Sequence, residues 1–137
     1  MIRKALIESV FEAASIERWN DHIRPSRGFT ELDKQSHKMI YAYTLSKIDG
    51  SVNFLKLIEG GIFEFLHRLV LTDIKPPVFH RLMKEKGAEL NKWALQGLKP
   101  MVITIPRNFY EKMEKYFLEP DYAAHEKKIL EASHYLA

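Results

Sequence analysis

The sequence predicts an all-α protein, a single-domain bundle of about six helices that spans residues 1–137. Apolar residues recur at helical spacing along most of the chain. The length of 137 residues suffices for one domain with a real core, but not for two comfortable ones. The β-branched stretch Met101–Ile105 has no second strand to pair with, so we expect a buried helical turn or a connector there.

The first helix is predicted over Ile2–Glu17, where the apolar positions follow a helical period. An irregular stretch, Arg18–Thr30, follows. Thr30 is the predicted N-cap of the second helix, which runs to about Lys47. Gly50 is expected to end that helix.

The third helix is predicted from Val52 to Leu71, with Ser51 as its cap. It contains Gly60 and Gly61, which together cost about 1–2 kcal/mol in a helix interior relative to alanine. We therefore expect a compensating feature at this point: a kink, a tight crossing by another helix, or the close approach of a ligand.

The remaining helices follow a stiff connector, Asp73–Pro77, across which the two prolines are expected to exclude a helix. The fourth helix is predicted over Val78–Leu98, the fifth over Pro106–Leu118 and the sixth over Tyr122–Ala137. The sixth carries no stop signal, which predicts either a chain cut short of its natural terminus or a frayed last turn.

The composition limits the classes of function. The net charge of +3 is small. Lysines alternate with acidic residues along the chain, as on solvated helix faces, so we expect no nucleic-acid partner. Without cysteine the chain has no disulfide, and a metal could bind only nitrogen and oxygen ligands. The lack of cysteine fits a cytoplasmic location. No secretory signal and no apolar run of membrane-spanning length is present, so we expect no membrane partner.

The strongest functional pattern is the pair Glu64 and His67, three residues apart in an apolar run. On a helix both side chains lie on one face, and burying them is costly unless they pair or bind something. A Glu-x-x-His pair on a core helix is one way to hold a metal. With His37 and His134 from two other helices, the pattern allows a four-ligand site for Co, Mn, Zn, Fe or Ni.

Each candidate residue also has a simpler interpretation. His37 and His134 can be half-buried histidines bonded to backbone carbonyls, and His67 can simply bond Glu64. The pair Arg18-Trp19 can clamp a phosphate and stack on a base, or can cap a helix and fill the core. Asp73 can act as a general acid or base, or can bond nearby backbone amides in its loop.

Taken in order, several of these motifs resemble those of the HD-domain phosphohydrolases, specifically the branch with the bacterial 5′-deoxynucleotidases. The motifs are Arg18-Trp19, then His37, a core helix, the turn Leu71–Val78 and Ala132–Leu136. The resemblance spans most of the chain, and its best local match is Asp-Ile-Lys-Pro-Pro-Val within the turn. The family's adjacent His-Asp pair is absent from the third helix. Glu64-Phe65 stands at that position, and His134 stands at the family's terminal aspartate.

The resemblance implies a metal-dependent phosphohydrolase that acts on a small nucleotide such as a deoxynucleoside 5′-monophosphate. The implied metal ligands are His37, Glu64 or His67, and His134. Arg18 would hold the phosphate and Trp19 would press on the sugar. Asp73, together with Glu64, would serve proton transfer.

The missing His-Asp pair motivates a second hypothesis, a non-catalytic HD-like binding or scaffold protein that has lost the metal centre. A plain helical dimerisation domain is a third hypothesis, since the aromatic content of 12% could supply an interface. A homodimer is expected.

Overall fold

The computed structural model describes residues 1–17, 28–71 and 76–137, and within these ranges it confirms an all-α bundle of six helices. The only β-type pairing in the described ranges is an isolated antiparallel bridge between Glu17 and Thr30. None of the described helices combines the length and the apolar character needed to cross a bilayer. The helices, in chain order, are α1 Lys4–Glu12, α2 Glu31–Asp49, α3 Phe54–Leu71, α4 Pro76–Val102, α5 Phe109–Leu118 and α6 Ala124–Leu136.

Both predicted ends of α2 are confirmed. The Thr30 hydroxyl accepts the backbone N–H of Asp33, and the Asp33 carboxylate accepts the backbone N–H of Thr30 at 2.9 Å, which completes a capping box. Gly50 ends the helix with φ of 72°, a left-handed conformation that glycine adopts without steric cost.

The prediction that Ser51 caps α3 is wrong. Asn53 does so, because its Oδ1 accepts the backbone N–H of Lys56 at 3.1 Å. Ser51 instead donates its hydroxyl to Asp49 and lies 3.2 Å from His125 Nε2. These contacts join the end of α2 to the first turn of α6.

The largest differences from the predicted boundaries concern α4. The helix begins at Pro76, because a proline in the first turn needs no N–H partner and has the right φ. It passes through Gly97 and Pro100 and ends at Val102, so the β-branched stretch is partly a last helical turn, as expected. Lys86 has non-helical angles (φ −134°, ψ 20°) and divides α4 into two segments.

The other starts and ends also shift inward. The first helix stops at Glu12 instead of Glu17. The starts of α5 and α6 move because Asn108 and Ala123 adopt left-handed φ of 58° and 52°, which interrupt the helix before each of them.

Helix α3 is the centre of the bundle, since it contacts each of the other five helices. Its Phe63 is 1% exposed and meets the rings of Phe109 and Tyr116 edge-on, with centroids 5.1 and 5.7 Å away. Leu57 of α3, Leu130 of α6 and the side chains around them complete this core. The functional residues predicted on α3 therefore lie at the middle of the molecule.

The two glycines of α3 permit a tight crossing, one of the three features that we expected there. A Cβ on Gly60 would lie 2.8 Å from the Tyr116 ring and 2.9 Å from a Leu130 methyl carbon. A Cβ on Gly61 would overlap the sulfur of Met39. The glycines thus let α5, α6 and α2 approach α3 closely, which offsets their low helix propensity.

We predict that Gly60→Ala lowers the free energy of unfolding by about 1–2 kcal/mol, because the overpacking cost exceeds the gain in helix propensity. The Tyr116 ring is rigid and cannot easily move away. Gly97→Ala is the matched control, since its Cβ would meet only Val70 at 3.6 Å. That change should raise stability by up to about 1 kcal/mol. Urea denaturation measures the free energy of unfolding of both variants, and a stabilised Gly60→Ala variant would contradict the tight crossing.

Candidate functional site

A cavity of about 370 Å³ opens between α2, α3, α4, α5 and α6. Most of its wall is aromatic or otherwise apolar, with Phe65 of α3, Phe79 and Met83 of α4, Phe117 of α5 and Tyr135 of α6. Its charged groups are of both signs and come mainly from α2 and α3. They are Glu31, Lys34, Lys38, Glu64, Arg68 and Glu131.

The Glu64 carboxylate is held from two sides. The Lys38 ammonium of α2 donates to Oε2, and the Tyr116 hydroxyl of α5 donates to Oε1 at 2.5 Å. The Lys38 side chain is 7% exposed and that of Glu64 is 29% exposed. Burial first, and then the charge of Glu64, raises the pKa of Tyr116, so its hydroxyl remains a donor. This network links three helices beside the cavity.

His67 is buried against α4 and α5. Its ring stacks on that of Phe117, with centroids 4.6 Å apart, and its Nε2 lies 3.0 Å from Asn91 Oδ1. Since Asn91 Nδ2 donates to the carbonyl of Phe117, Oδ1 is the acceptor and Nε2 of His67 carries the proton. Burial lowers the pKa of His67, so the ring is neutral near pH 7 and its Nδ1 has an acceptor lone pair.

Ion pairs and backbone contacts fix the rest of the wall. Arg68 Nε lies 3.5 Å from the buried Glu31 carboxylate, and the Arg68 guanidinium lies over the Phe79 ring at 5.1 Å. The Lys34 ammonium donates to the main-chain oxygens of His134 and Ala137 at 2.9 and 2.6 Å. Lys34 therefore holds the last turn of α6 against α2.

The structure brings some of the sequence-predicted site residues together and separates others. Glu64, His67 and His134 all line this cavity. His37 is exposed on α2, lies outside the cavity lining and has its ring centroid 5.6 Å from that of Phe29. The predicted residues Arg18, Trp19 and Asp73 lie outside the described residues.

The metal centre predicted from His37, Glu64, His67 and His134 is not assembled in the described ranges. No group of three or more His, Asp or Glu side chains there is arranged to hold a metal ion. Glu64 already accepts from Lys38 and Tyr116, and the one His67 nitrogen with a described partner faces Asn91. The bound Co, Mn, Zn, Fe or Ni ion therefore stays a prediction.

Sequence reasoning missed Lys38, Tyr116 and Asn91, which are the partners of the two predicted α3 residues. The only signal was that a carboxylate and an imidazole in an apolar run need partners. The partners lie 26, 52 and 24 residues away along the chain, and no local pattern marks them.

Comparison of the chain with family models, with curated protein sequences and with solved structures finds no match in any of the three. The assignment to the all-α class therefore rests on the helices of the structure alone. The HD-domain resemblance stays a prediction.

We predict that Lys38→Met and Glu64→Gln each lower the free energy of unfolding by about 2–3 kcal/mol, because each leaves a partly buried charge without its partner. The double variant should lose at least about 1 kcal/mol less than the sum of the two. A thermodynamic cycle from urea denaturation measures this coupling. The exposed pair Lys86 and Glu89 is the control, where Lys86→Met should change stability by less than about 0.5 kcal/mol. Additive single effects would disprove the pairing.

We also predict that His67 makes stability depend on pH. Its pKa is lowered in the folded state, so the unfolded chain binds more protons below about pH 6.5 and the fold loses stability as the pH falls. The contribution has a slope of up to about 1.4 kcal/mol per pH unit between the folded and unfolded pKa values. His67→Gln should flatten the stability profile between pH 7 and 5, whereas His37→Gln, on the surface, should not. An unchanged profile for His67→Gln would refute the assignment.

Proposed function

We propose that this chain is a non-catalytic helical binding protein whose cavity takes a small, flat and mostly apolar molecule. The cavity carries this proposal, because its volume of about 370 Å³ lies in the range of small-molecule sites. The aromatic side chains in its wall are also typical of such sites, although its lining includes more charged residues than most.

The polar groups favour a ligand that brings a hydrogen-bond donor. The neutral ring of His67 and the carboxylate of Glu64 are acceptors on one face of α3. Glu64 accepts one bond on each oxygen, yet a carboxylate has about four acceptor sites, and this side chain is 29% exposed. An N–H group of a heteroaromatic ligand, such as an indole or a benzimidazole, suits this acceptor. Phe117 and Phe79 provide flat neighbours for the ring.

We propose binding instead of hydrolysis because Lys38, Tyr116 and Asn91 fix the directions of the Glu64 and His67 side chains. Side chains held in this way form a wall of fixed polarity, which positions a ligand. A cytoplasmic location is part of the proposal and rests on the absence of cysteine.

A metal-dependent phosphohydrolase acting on a small nucleotide is the second candidate. The observation in its favour is that Glu64, His67 and His134, three of the residues predicted for its centre, line one cavity. Lys34, Lys38 and Arg68 also contribute positive charge to that wall. Arg18, Trp19 and Asp73, which the resemblance assigns to substrate and proton transfer, belong to the same hypothesis.

We predict that indole binds the protein and that benzothiophene, which has nearly the same shape but no N–H, binds several-fold more weakly. Saturation-transfer NMR measures the binding of indole and of benzothiophene. Met83→Trp should fill the cavity and abolish indole binding, while the control Lys84→Trp, on the exposed side of the same helix, should preserve it. Indole binding that survives Met83→Trp would exclude this cavity as the site.

The same samples separate the two candidates. Phosphate release from deoxynucleoside 5′-monophosphates with added Co or Mn would favour the second candidate if Glu64→Gln abolished it. Indole binding without phosphate release favours the binding protein.

A further inference from the structure

The outer face of α2 is exposed along its whole length and carries several large apolar side chains. Ile40 is 64% exposed, Tyr41 41%, Tyr43 50% and Ile48 78%. The opposite side of the same helix is also used, since Lys34, Gln35 and Lys38 line the cavity. A helix that exposes large apolar residues on its solvent side is typical of an element that packs against a further partner.

The residues on this face are arranged symmetrically about Ile40. Asp33 and Lys47 lie seven residues before and after it, on the same side of the helix. Ser36 and Thr44 lie four residues away on either side, and His37 and Tyr43 lie three away. All of them are exposed.

This pattern is self-complementary for two antiparallel copies of α2. A two-fold axis at Ile40 sets each residue against the one at the same distance on the other side of Ile40 in the partner. Asp33 would then face Lys47 of the second copy, Ser36 would face Thr44, and His37 would face Tyr43. Opposite charges meet at both ends of the pair, and an apolar side chain lies at its centre. A parallel pair would set Asp33 against Asp33 and Lys47 against Lys47, which repel each other.

We propose that two copies of this chain form a dimer through antiparallel pairing of α2 about Ile40. The helix of 19 residues is about 28 Å long, which gives room for several turns of contact on each side of the axis. Phe54 and Leu55, 46% and 62% exposed at the start of α3, widen the apolar surface beside the end of α2. Tyr43 meets Phe54 edge-on with centroids 5.9 Å apart, so the two helices present one continuous patch.

The charged ends of this face are held in place within one copy. The Lys47 ammonium lies 5.2 Å from the Tyr43 ring centroid and 5.8 Å from that of Phe54, which keeps it at the rim of the patch. The Asp33 carboxylate accepts both of its bonds from Thr30 on Oδ2, which leaves Oδ1 for a lysine of the partner. Its hydrogen bonds with Thr30 lower the pKa of Asp33, so it carries its charge at neutral pH.

Sedimentation equilibrium tests the dimer. The wild-type protein should have about twice the mass of one chain, 16.1 kDa. Ile40→Asp should be monomeric because it places two carboxylates at the axis, whereas the control Trp93→Asp, at a residue 57% exposed on α4, should remain dimeric. A wild-type monomer, or an Ile40→Asp variant that still dimerises, would overturn the proposal.

A charge exchange tests the antiparallel order. Lys47→Glu sets like charges against each other at both ends and should weaken the dimer about tenfold or more in Kd. Adding Asp33→Lys should restore most of the affinity, because each introduced lysine then faces an introduced glutamate of the other copy. Thermal melts of both variants report whether loss of the Thr30 capping box has affected folding. A folded double variant no tighter than the single one would count against the pairing.

A cross-linking experiment tests the same contact without relying on the thermal melts. The chain has no cysteine, so Ile40→Cys places one thiol on each copy at the axis. A short bismaleimide should join two copies of this variant rapidly, and should join Trp93→Cys at no more than the collision rate. Equal rates for both variants would show that Ile40 is not at a contact between copies.

Discussion

The carboxylate of Glu64 is the group on which the rest of this structure most depends. It lies on α3, the helix that contacts all others, and a partly buried carboxylate needs donors. Lys38 supplies one from α2 and Tyr116 supplies the other from α5. Because α2, α3 and α5 must meet for both bonds to form, the position of one oxygen pair constrains how three helices pack. Replacing Lys38 leaves the charge of Glu64 without its ion-pair partner, which costs more than the pair itself contributes. Replacing Tyr116 leaves the other carboxylate oxygen without its donor.

The glycines and the polar network on α3 act together. Gly60 lets the Tyr116 ring lie against the backbone of α3, and this close approach brings the Tyr116 hydroxyl to Glu64 one turn further along. The next turn carries His67, whose partner Asn91 is itself bonded to the backbone of Phe117. Glu64 and His67 thus each have their direction set by other residues. A cavity with such fixed polarity can select a ligand at little cost in side-chain entropy, which is why the proposed function rests on binding.

Local chemistry made part of the fold predictable. Thr30 and Gly50 mark the ends of α2 because a capping hydroxyl and a left-handed glycine act within one turn. The expectation of a kink, a tight crossing or a ligand at Gly60 and Gly61 follows from the cost of glycine in a helix. By contrast, the predicted non-helical connector Asp73–Pro77 extends too far, because α4 begins at Pro76 and a proline in a first turn costs nothing. The need of Glu64 and His67 for partners can be inferred from sequence, but their identities cannot, since pairing across distant helices leaves no spacing to recognise. His37 fits the site pattern in the sequence, but it lies on the exposed side of α2.

The two sides of helix α2 support two different hypotheses, a ligand site on its inner side and a contact between copies on its outer side. Its inner side supplies Lys38 to Glu64 and Lys34 to the end of α6, so it needs polar residues where a core helix usually has apolar ones. Its outer side carries Ile40 and Ile48, where a surface helix usually has polar ones. In the sequence, polar residues on the inner side and apolar residues on the outer side resemble the pattern of a weakly amphipathic helix. Such a pattern does not show which side faces the core, so a histidine on either side fits a predicted site equally well. If α2 pairs with a second copy, dimerisation restrains the same helix that positions Lys38 beside the cavity. Any ligand whose fit depends on that position would then bind the dimer and the monomer with different affinity, and by linkage it would shift the dimer equilibrium by the same factor.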